Sequence, residues 1–235
     1  MREVTCLLDS IKDWQTLWAG GLAILAALIG GGFILRQTRA IQKQAGAVER
    51  REQATLTRQH AAARAVMPLA LSALVEYAQS CAESLVRVRQ AALDEKIPRP
   101  VATSYVPPTL DPGVISSLAD VIASADPAVG DAIAKVISNV QVLGARLRGI
   151  RDRAIRGPFD LILLTNLESY TVDAAIIFAR GSALFLFARR ATEEPGGDFP
   201  SEKALHDALN VMGFDVDANR RLYESASRRA EFKVD

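Results

Sequence analysis

The sequence predicts an all-α protein with a single amino-terminal transmembrane helix, a helical stalk and a helical bundle. First, residues 17–35 contain no charged side chain. Second, residues 36–64 contain no proline and only one glycine, and good helix formers dominate them. Third, apolar residues further along recur at spacings of three and four, the period of an amphipathic helix. About 170 residues follow the stalk, enough for one hydrophobic core.

The uncharged run is long enough to cross a bilayer. At about 1.5 Å of rise per residue it spans roughly 28 Å, close to the ~30 Å hydrocarbon core. Trp14 and Trp18 lie at its amino-terminal end, where indole rings favour the headgroup level. The residues after Leu35 offer no signal-peptide cleavage site. We therefore expect an uncleaved anchor over residues 14–35, with the lipid bilayer as its partner.

The charges that flank the anchor predict its orientation. Two basic residues precede it, Arg2 and Lys12, and five follow within about 15 residues: Arg36, Arg39, Lys43, Arg50 and Arg51. The positive-inside rule therefore places residues 1–13 outside and the bulk of the chain in the cytoplasm. Cys6 and Cys81 should lie on opposite sides of the membrane, so they cannot pair within one chain.

Small residues recur every four positions in the anchor. They would line one helix face and allow a second membrane helix to approach closely. This face predicts a transmembrane homodimer, but the general abundance of small residues in membrane helices explains the pattern equally well. The residues are Ala19, Ala23, Ala27 and Gly31.

The stalk, residues 36–64, resembles a coiled coil only weakly. Ile41, Val48 and Thr55 are seven apart, but Ala45 and Glu52 between them make a poor seam. Seven basic and two acidic residues give the stalk a net charge of +5. This charge either holds the stalk near anionic headgroups or is the ordinary basic flank of a membrane helix.

Residues 65–235 are predicted to form one cytosolic all-α domain. Its first helix carries an apolar stripe: Met67, Leu71, Leu74, Ala78, Cys81, Leu85 and Val88. Pro68 predicts a kink or a fresh helix start there. Five prolines in 94–113 argue against regular helix and predict an ordered crossover, a lid or a plain loop.

Five further helix starts follow. Asp111 and Asp126 each precede a proline, which predicts capped helix starts. A third long helix should begin near Asp160, after Gly157 and Pro158, and end near Arg190. Charges at Glu168, Asp173 and Arg180 argue against a second membrane span there. After a break at 195–198, Ser201 should cap a short helix that ends at Gly213, and a basic amphipathic helix should begin near Asp217.

No catalytic, metal or nucleotide motif is present. His60 and His206 are far apart, and no lysine–serine pair follows a glycine cluster, so we predict no metal ion, cofactor or catalytic residue. The net charge of +1 predicts no nucleic-acid partner. One polar pocket is a hypothesis. Two pairs of charges seven apart could face inward, or could be rim salt bridges and solvated charges: Asp173 with Arg180, and Glu76 with Glu83.

Residues 61–81, AAARAVMPLALSALVEYAQSC, follow the anchor and the arginine-rich stalk. In this arrangement the chain resembles a group of uncharacterised bacterial single-pass membrane proteins. The resemblance implies a bacterial inner membrane. It brings no functional residues with it.

These observations favour a membrane-anchored helical interaction or scaffold module with an unknown protein partner. The alternative from another class is a small-ligand receptor or enzyme with an interhelical polar pocket. A third hypothesis is a small phage or stress protein that perturbs membranes.

Overall fold

The computed structural model describes residues 2–156, 162–192 and 199–231. These residues form seven α-helices and two isolated β-bridges, so the predicted all-α fold is confirmed. The helices are α1 (Arg2–Gln90), α2 (Arg99–Ser104), α3 (Pro112–Ser124), α4 (Pro127–Arg156), α5 (Leu164–Ala188), α6 (Glu202–Val211) and α7 (Arg220–Glu231).

The chain divides into two compact units, residues 1–56 and residues 57–235. The first unit is helix, with side chains described from residue 36 onwards and, before it, only at Leu22, Gly30 and Gly31. Ile41 and Val48 of the predicted stalk are exposed. The second unit is a helical bundle with one continuous core. The division falls within the predicted stalk.

Helix α1 continues through Pro68, so no new helix starts there. Proline removes one backbone hydrogen bond, but the inward-facing residues beside it are packed into the bundle. Met67 and Leu71 are both fully buried. The predicted stripe from Met67 to Val88 is buried along its length and forms one wall of the core. Burial of these apolar side chains outweighs the loss of one hydrogen bond.

Helices α1 and α5 approach closely at Gly181. A Cβ atom added there would lie 3.0 Å from side-chain carbons of both Leu74 and Val75. Further along, Arg64 of α1 donates from Nε (2.9 Å) and Nη2 (2.6 Å) to the carbonyl of Phe187. Its guanidinium also lies 4.1 Å from the centre of the Phe187 ring. Since the last carbonyls of a helix lack intrahelical partners, Arg64 caps the carboxyl end of α5.

Several predicted helix ends are confirmed. Asp111 Oδ1 accepts a hydrogen bond from Gly113 N at 2.8 Å before α3, and Ser201 Oγ accepts one from Ala204 N at 3.2 Å before α6. Gly213, after α6, has φ +86°, a conformation that favours glycine. The predicted features at Gly157, Pro158 and Asp160 and at 195–198 lie outside the described residues.

The proline-rich segment contains a helix that the sequence analysis did not predict. Helix α2 begins after Pro98 and places Pro100 in its first turn, where a missing N–H is tolerated. Arg99 Nε donates to the carbonyl of Ala154 at 3.0 Å and so ties α2 to the end of α4. The expectation that this whole segment lacks regular helix is therefore wrong.

A tight turn follows α1 and is hydrogen-bonded to the start of α5. Asp94 and Glu95 have φ of 48° and 60°, in the left-handed region that non-glycine residues seldom adopt, although aspartate adopts it more readily than glutamate. Leu93 and Lys96 exchange two backbone hydrogen bonds of 2.9 Å across the turn. The amide of Leu164 then donates to the Glu95 carbonyl at 2.9 Å. These bonds satisfy backbone groups and hold the strained turn in place.

Two helical segments among the described residues are long and apolar enough to cross a membrane: Arg36–Gln90 of α1, and α5. In α5, 61% of the most apolar stretch is buried inside the bundle. That burial is expected of a core helix and agrees with the sequence argument against a second span. Residues 17–35 lie within α1.

Candidate functional site

Asp173 is the most buried member of the predicted polar pocket. It lies in the middle of α5, with only 7% of its surface exposed. Its carboxylate accepts hydrogen bonds from Arg146 of α4 and from Arg229 Nη2 of α7, the latter at 2.6 Å. A buried carboxylate is costly unless it is paired. Asp173 therefore faces inward and is paired with arginines on two other helices.

Tyr170, one turn before Asp173, extends this arrangement. Its hydroxyl accepts a hydrogen bond from Arg153 Nη2 at 2.7 Å. The Arg146 guanidinium carbon lies 5.7 Å from the centre of the Tyr170 ring, within the range of a cation–π contact. We call the five residues Arg146, Arg153, Tyr170, Asp173 and Arg229 the Asp173 cluster.

The Asp173 cluster carries more positive than negative charge. It contains three guanidinium groups and one carboxylate. The Asp173 side chain is 10% exposed, whereas those of Arg146 and Arg229 are 37% and 35% exposed. The cluster therefore has a buried acidic centre and a solvent-facing basic rim.

Glu168 is a buried acid that the sequence analysis noted only as an interruption of an apolar run. It is 8% exposed, and its Oε1 atom has no hydrogen-bond partner among the described residues. Arg221 interacts with it electrostatically, although Arg221 donates its hydrogen bond to Glu95 Oε1, at 3.1 Å. That bond is the main reason why the pKa of Arg221 is raised. Only the tertiary fold reveals that Glu168 is buried.

The other predicted pocket residues do not join Asp173. Arg180 is half-buried, and its guanidinium stacks 5.4 Å from the centre of the Phe199 ring. Glu76 and Glu83 are exposed on α1, and Glu83 accepts a hydrogen bond from Gln79 at 3.3 Å. Because Glu76 and Glu83 are seven residues apart, they share the outer face of α1, opposite its buried stripe. The hypothesis that all four residues line one pocket is therefore corrected.

His206 takes part in a polar contact between α6 and α7. Its Nε2 atom lies 3.1 Å from Ser227 Oγ, which donates to Glu202 Oε1 at 2.6 Å. These are the residue types of a hydrolase triad, but Glu202 approaches the same imidazole nitrogen, at 3.8 Å, instead of Nδ1. The acid therefore does not orient the imidazole as a triad requires. Among the residues that the structure describes, no group of three potential ligands could hold a metal ion.

A surface cavity of about 380 Å³ is present near this contact. The cavity is lined by the residues at the start of α6 and by the last residues of α7. The lining residues are Phe199, Pro200, Ser201, Glu202, Ala230 and Glu231. The cavity and the Asp173 cluster share no residue.

Cys81, which belongs to the predicted apolar stripe of α1, is fully buried. Burial raises the pKa of the Cys81 thiol to about 12 and that of Tyr105 to about 12. The Tyr105 hydroxyl lies 2.9 Å from Ser84 Oγ. A thiol with such a high pKa is almost wholly protonated at neutral pH and is a poor nucleophile.

The predicted transmembrane dimer face is described only in part. Gly31 is exposed, with open space around the position of a Cβ atom. The side chains of Ala19, Ala23 and Ala27 lie outside the described residues.

In comparisons with known proteins, no family model, curated protein or solved structure matched this chain significantly. Its function has to be inferred from its own residues.

Proposed function

We propose that this protein is a single-pass, membrane-anchored scaffold whose helical domain binds a protein partner in the cytoplasm. The observation that carries the proposal is helix α1, which contains both the uncharged run 17–35 and the first wall of the bundle core. In this arrangement one helix is both anchor and structural element. The basic residues after the run support the cytoplasmic orientation, and the sequence resemblance supports a bacterial inner membrane.

The partner surface cannot be the apolar stripe of α1, because that stripe is buried. Apolar side chains that remain accessible on the same helix are better candidates. Val66 is 48% exposed and Leu69 is 76% exposed, although Met67 between them is fully buried. An exposed leucine of this kind beside a packed core is a suitable probe for a partner contact.

Membrane anchoring is tested by fractionation of the full chain. Arginine at Leu25 and Leu28 costs about 2.5–3.5 kcal/mol per residue near the middle of a span. We expect the natural chain to remain in carbonate-washed membranes and this double variant to be lost from them. Gln42→Arg with Gln44→Arg adds the same charge outside the run and should stay in the membrane. Equal retention of both double variants would contradict the anchor.

Orientation is tested through the two cysteines. A membrane-impermeant maleimide applied to intact spheroplasts should label the chain through Cys6 and not through the buried Cys81. Cys6→Ser should abolish the label, and Cys81→Ser should leave it unchanged. Labelling of Cys6 only after lysis would place the amino terminus in the cytoplasm.

The scaffold role is tested by site-specific crosslinking in native membranes. A photo-crosslinking amino acid at Leu69 should give a discrete heteromeric adduct, and the same group at the exposed Glu76 serves as the matched control on the same helix. An Asp substitution at Val66 should reduce the adduct without changing membrane retention. The absence of an adduct at Leu69 above the Glu76 control would count against a partner on this surface.

A further inference from the structure

The arginines of the Asp173 cluster have N–H groups that make no hydrogen bond to the described residues. A guanidinium offers five N–H donors. Arg146 and Arg229 each make one hydrogen bond, both to Asp173, and Arg153 makes two, to Gly149 O and the Tyr170 hydroxyl. Most donors of this trio therefore have no acceptor among the described residues.

These spare donors face solvent. None of the nitrogen atoms of Arg146, Arg153 or Arg229 is among the buried atoms that lack a partner. The Arg146 and Arg229 side chains are each more than a third exposed. An anion arriving from solvent can reach the donors without any rearrangement of the core.

Charge balance favours such an anion. Asp173 binds two guanidinium groups, one on each oxygen of a single carboxylate. Arg153 adds a third positive charge to the cluster and is hydrogen-bonded to the Tyr170 hydroxyl, one turn before Asp173. One carboxylate does not neutralise three guanidinium groups, and their mutual repulsion remains at this partly exposed site. A dianion bound on the solvent side of the cluster would reduce this repulsion. Its oxygens would also accept hydrogen bonds from the unused N–H groups.

We propose that Arg146, Arg153 and Arg229 form a binding site for a phosphate group, with Asp173 as the buried residue that positions two of them. Arginine suits this role because its planar donors match phosphate oxygens in pairs. The phosphate belongs either to a small soluble molecule or to a lipid headgroup. Arg146 and Arg153 lie on α4 and Arg229 lies on α7, so a bound phosphate would link these two helices.

Binding is tested with inorganic phosphate on the purified full chain in neutral detergent, followed by calorimetric titration and thermal unfolding at constant ionic strength set with chloride. We expect saturable binding and a rise in Tm with phosphate. Arg153→Gln should weaken binding about tenfold, the loss of roughly one charge-assisted contact. Arg220→Gln is the matched control, because Arg220 is exposed and forms an ion pair with Glu224 on its own helix.

A second variant separates binding from folding. Arg229→Lys keeps a positive charge beside Asp173 but cannot donate two parallel bonds to phosphate. We expect its Tm without phosphate to stay near that of the natural chain and its phosphate affinity to fall. The proposal is overturned if phosphate does not bind saturably, or if Arg153→Gln and Arg229→Lys bind it as well as Arg220→Gln does.

The source of the phosphate is tested in nanodiscs. The full chain is placed in phosphatidylcholine nanodiscs with and without phosphatidic acid, and titrated with inorganic phosphate. Unchanged phosphate binding in both discs identifies a soluble ligand. Weaker apparent binding in the phosphatidic acid discs than in the phosphatidylcholine discs, with this difference absent in Arg153→Gln, identifies a headgroup. Both results require the same three arginines.

Discussion

At the scale of single residues, the long side chains of buried or half-buried arginines connect helices that are far apart in sequence. Arg64 lies at the end of the predicted stalk, but it is 7% exposed and caps the end of α5. It also reaches the Thr192 carbonyl at 3.1 Å. Nothing local in the sequence indicates this role, because the partners are more than a hundred residues away.

Replacing Arg64 should therefore lower stability even when its charge is kept. Arg64→Lys loses the forked donation to the Phe187 carbonyl, and hydrogen bonds to charged groups contribute about 1.5–3 kcal/mol. We expect a loss of that size in the free energy of unfolding, measured by denaturant titration. Arg58→Lys, at an exposed position of the same helix, should change stability little. Equal effects of the two substitutions would show that Arg64 does not cap α5.

The buried Cys81 and Tyr105 predict a loss of stability at alkaline pH. Both groups are neutral when protonated, and burial raises the pKa of Cys81 from 9.0, and that of Tyr105 from 10.0, to about 12 in each case. The folded state therefore holds their protons more tightly than the unfolded state. Their contribution is complete below about pH 9 and falls as pH rises towards 12, by at most about 1.4 kcal/mol per pH unit for each group.

This alkaline effect is measured by denaturant unfolding at a series of pH values above 8. Cys81→Ala should flatten the pH dependence, although it will also lower stability at neutral pH because it removes a buried side chain. Exposed Ser80→Ala is the matched control and should leave the slope unchanged. A slope that is the same in the Cys81 variant would show that Cys81 does not contribute.

At the scale of helices, the packing of α1 against α5 depends on a missing side chain. Gly181→Ala would place a Cβ atom 3.0 Å from Leu74 and Val75, closer than ordinary van der Waals contact. A Cβ atom added at Gly149 in α4 would have Arg153 Nη2 as its nearest neighbour, at 3.7 Å, an ordinary van der Waals distance. The two glycines are both helical, but only one of them is required by close packing.

The same substitution should therefore have opposite effects at these two sites. Gly149→Ala should raise stability by up to about 1 kcal/mol, because alanine has the higher helix propensity. Gly181→Ala should lose this gain and lower Tm, because the buried Leu74 has no space into which to move. The comparison of the two melting temperatures is the test, and an equal rise in both would contradict the close contact.

Helices were more predictable than the contacts between them. The starts of α3 and α6 follow from local chemistry at Asp111 and Ser201, and the buried face of α1 follows from spacing alone. By contrast, Asp173 meets Arg146 and Arg229, which are 27 and 56 residues away in sequence. The sequence could identify Asp173 as a candidate, but it could not choose its partners. It also gave no reason to separate Asp173 from Glu76 and Glu83, because only packing decides which charges face inward.

At the scale of the whole molecule, the described core belongs entirely to the second unit. Met67 is the first fully buried apolar residue along the described part of the chain, and the described core extends from there to Ala230. A chain that begins at residue 57 therefore retains every core residue that the structure describes, together with Arg64.

We expect residues 57–235 to fold without the first unit. This fragment should be soluble, helical by circular dichroism and cooperative in thermal unfolding. A fragment that begins at residue 75 is the control, because it removes Arg64, Met67, Leu71 and Leu74 and should unfold more readily. Loss of cooperative unfolding in the longer fragment would show that the first unit contributes to the stability of the bundle.

The hydrogen bond between Arg64 and Phe187 can form only late in the synthesis of the chain. The two residues are 123 positions apart, so at ~5–20 residues per second roughly 6 to 25 seconds of translation separate them. During that interval the arginine has no carbonyl to bind and must remain hydrated. The contact between α1 and the end of α5 therefore forms only after Phe187 has been synthesised, and until then the part of α1 that α5 covers is open to chaperones and to neighbouring chains.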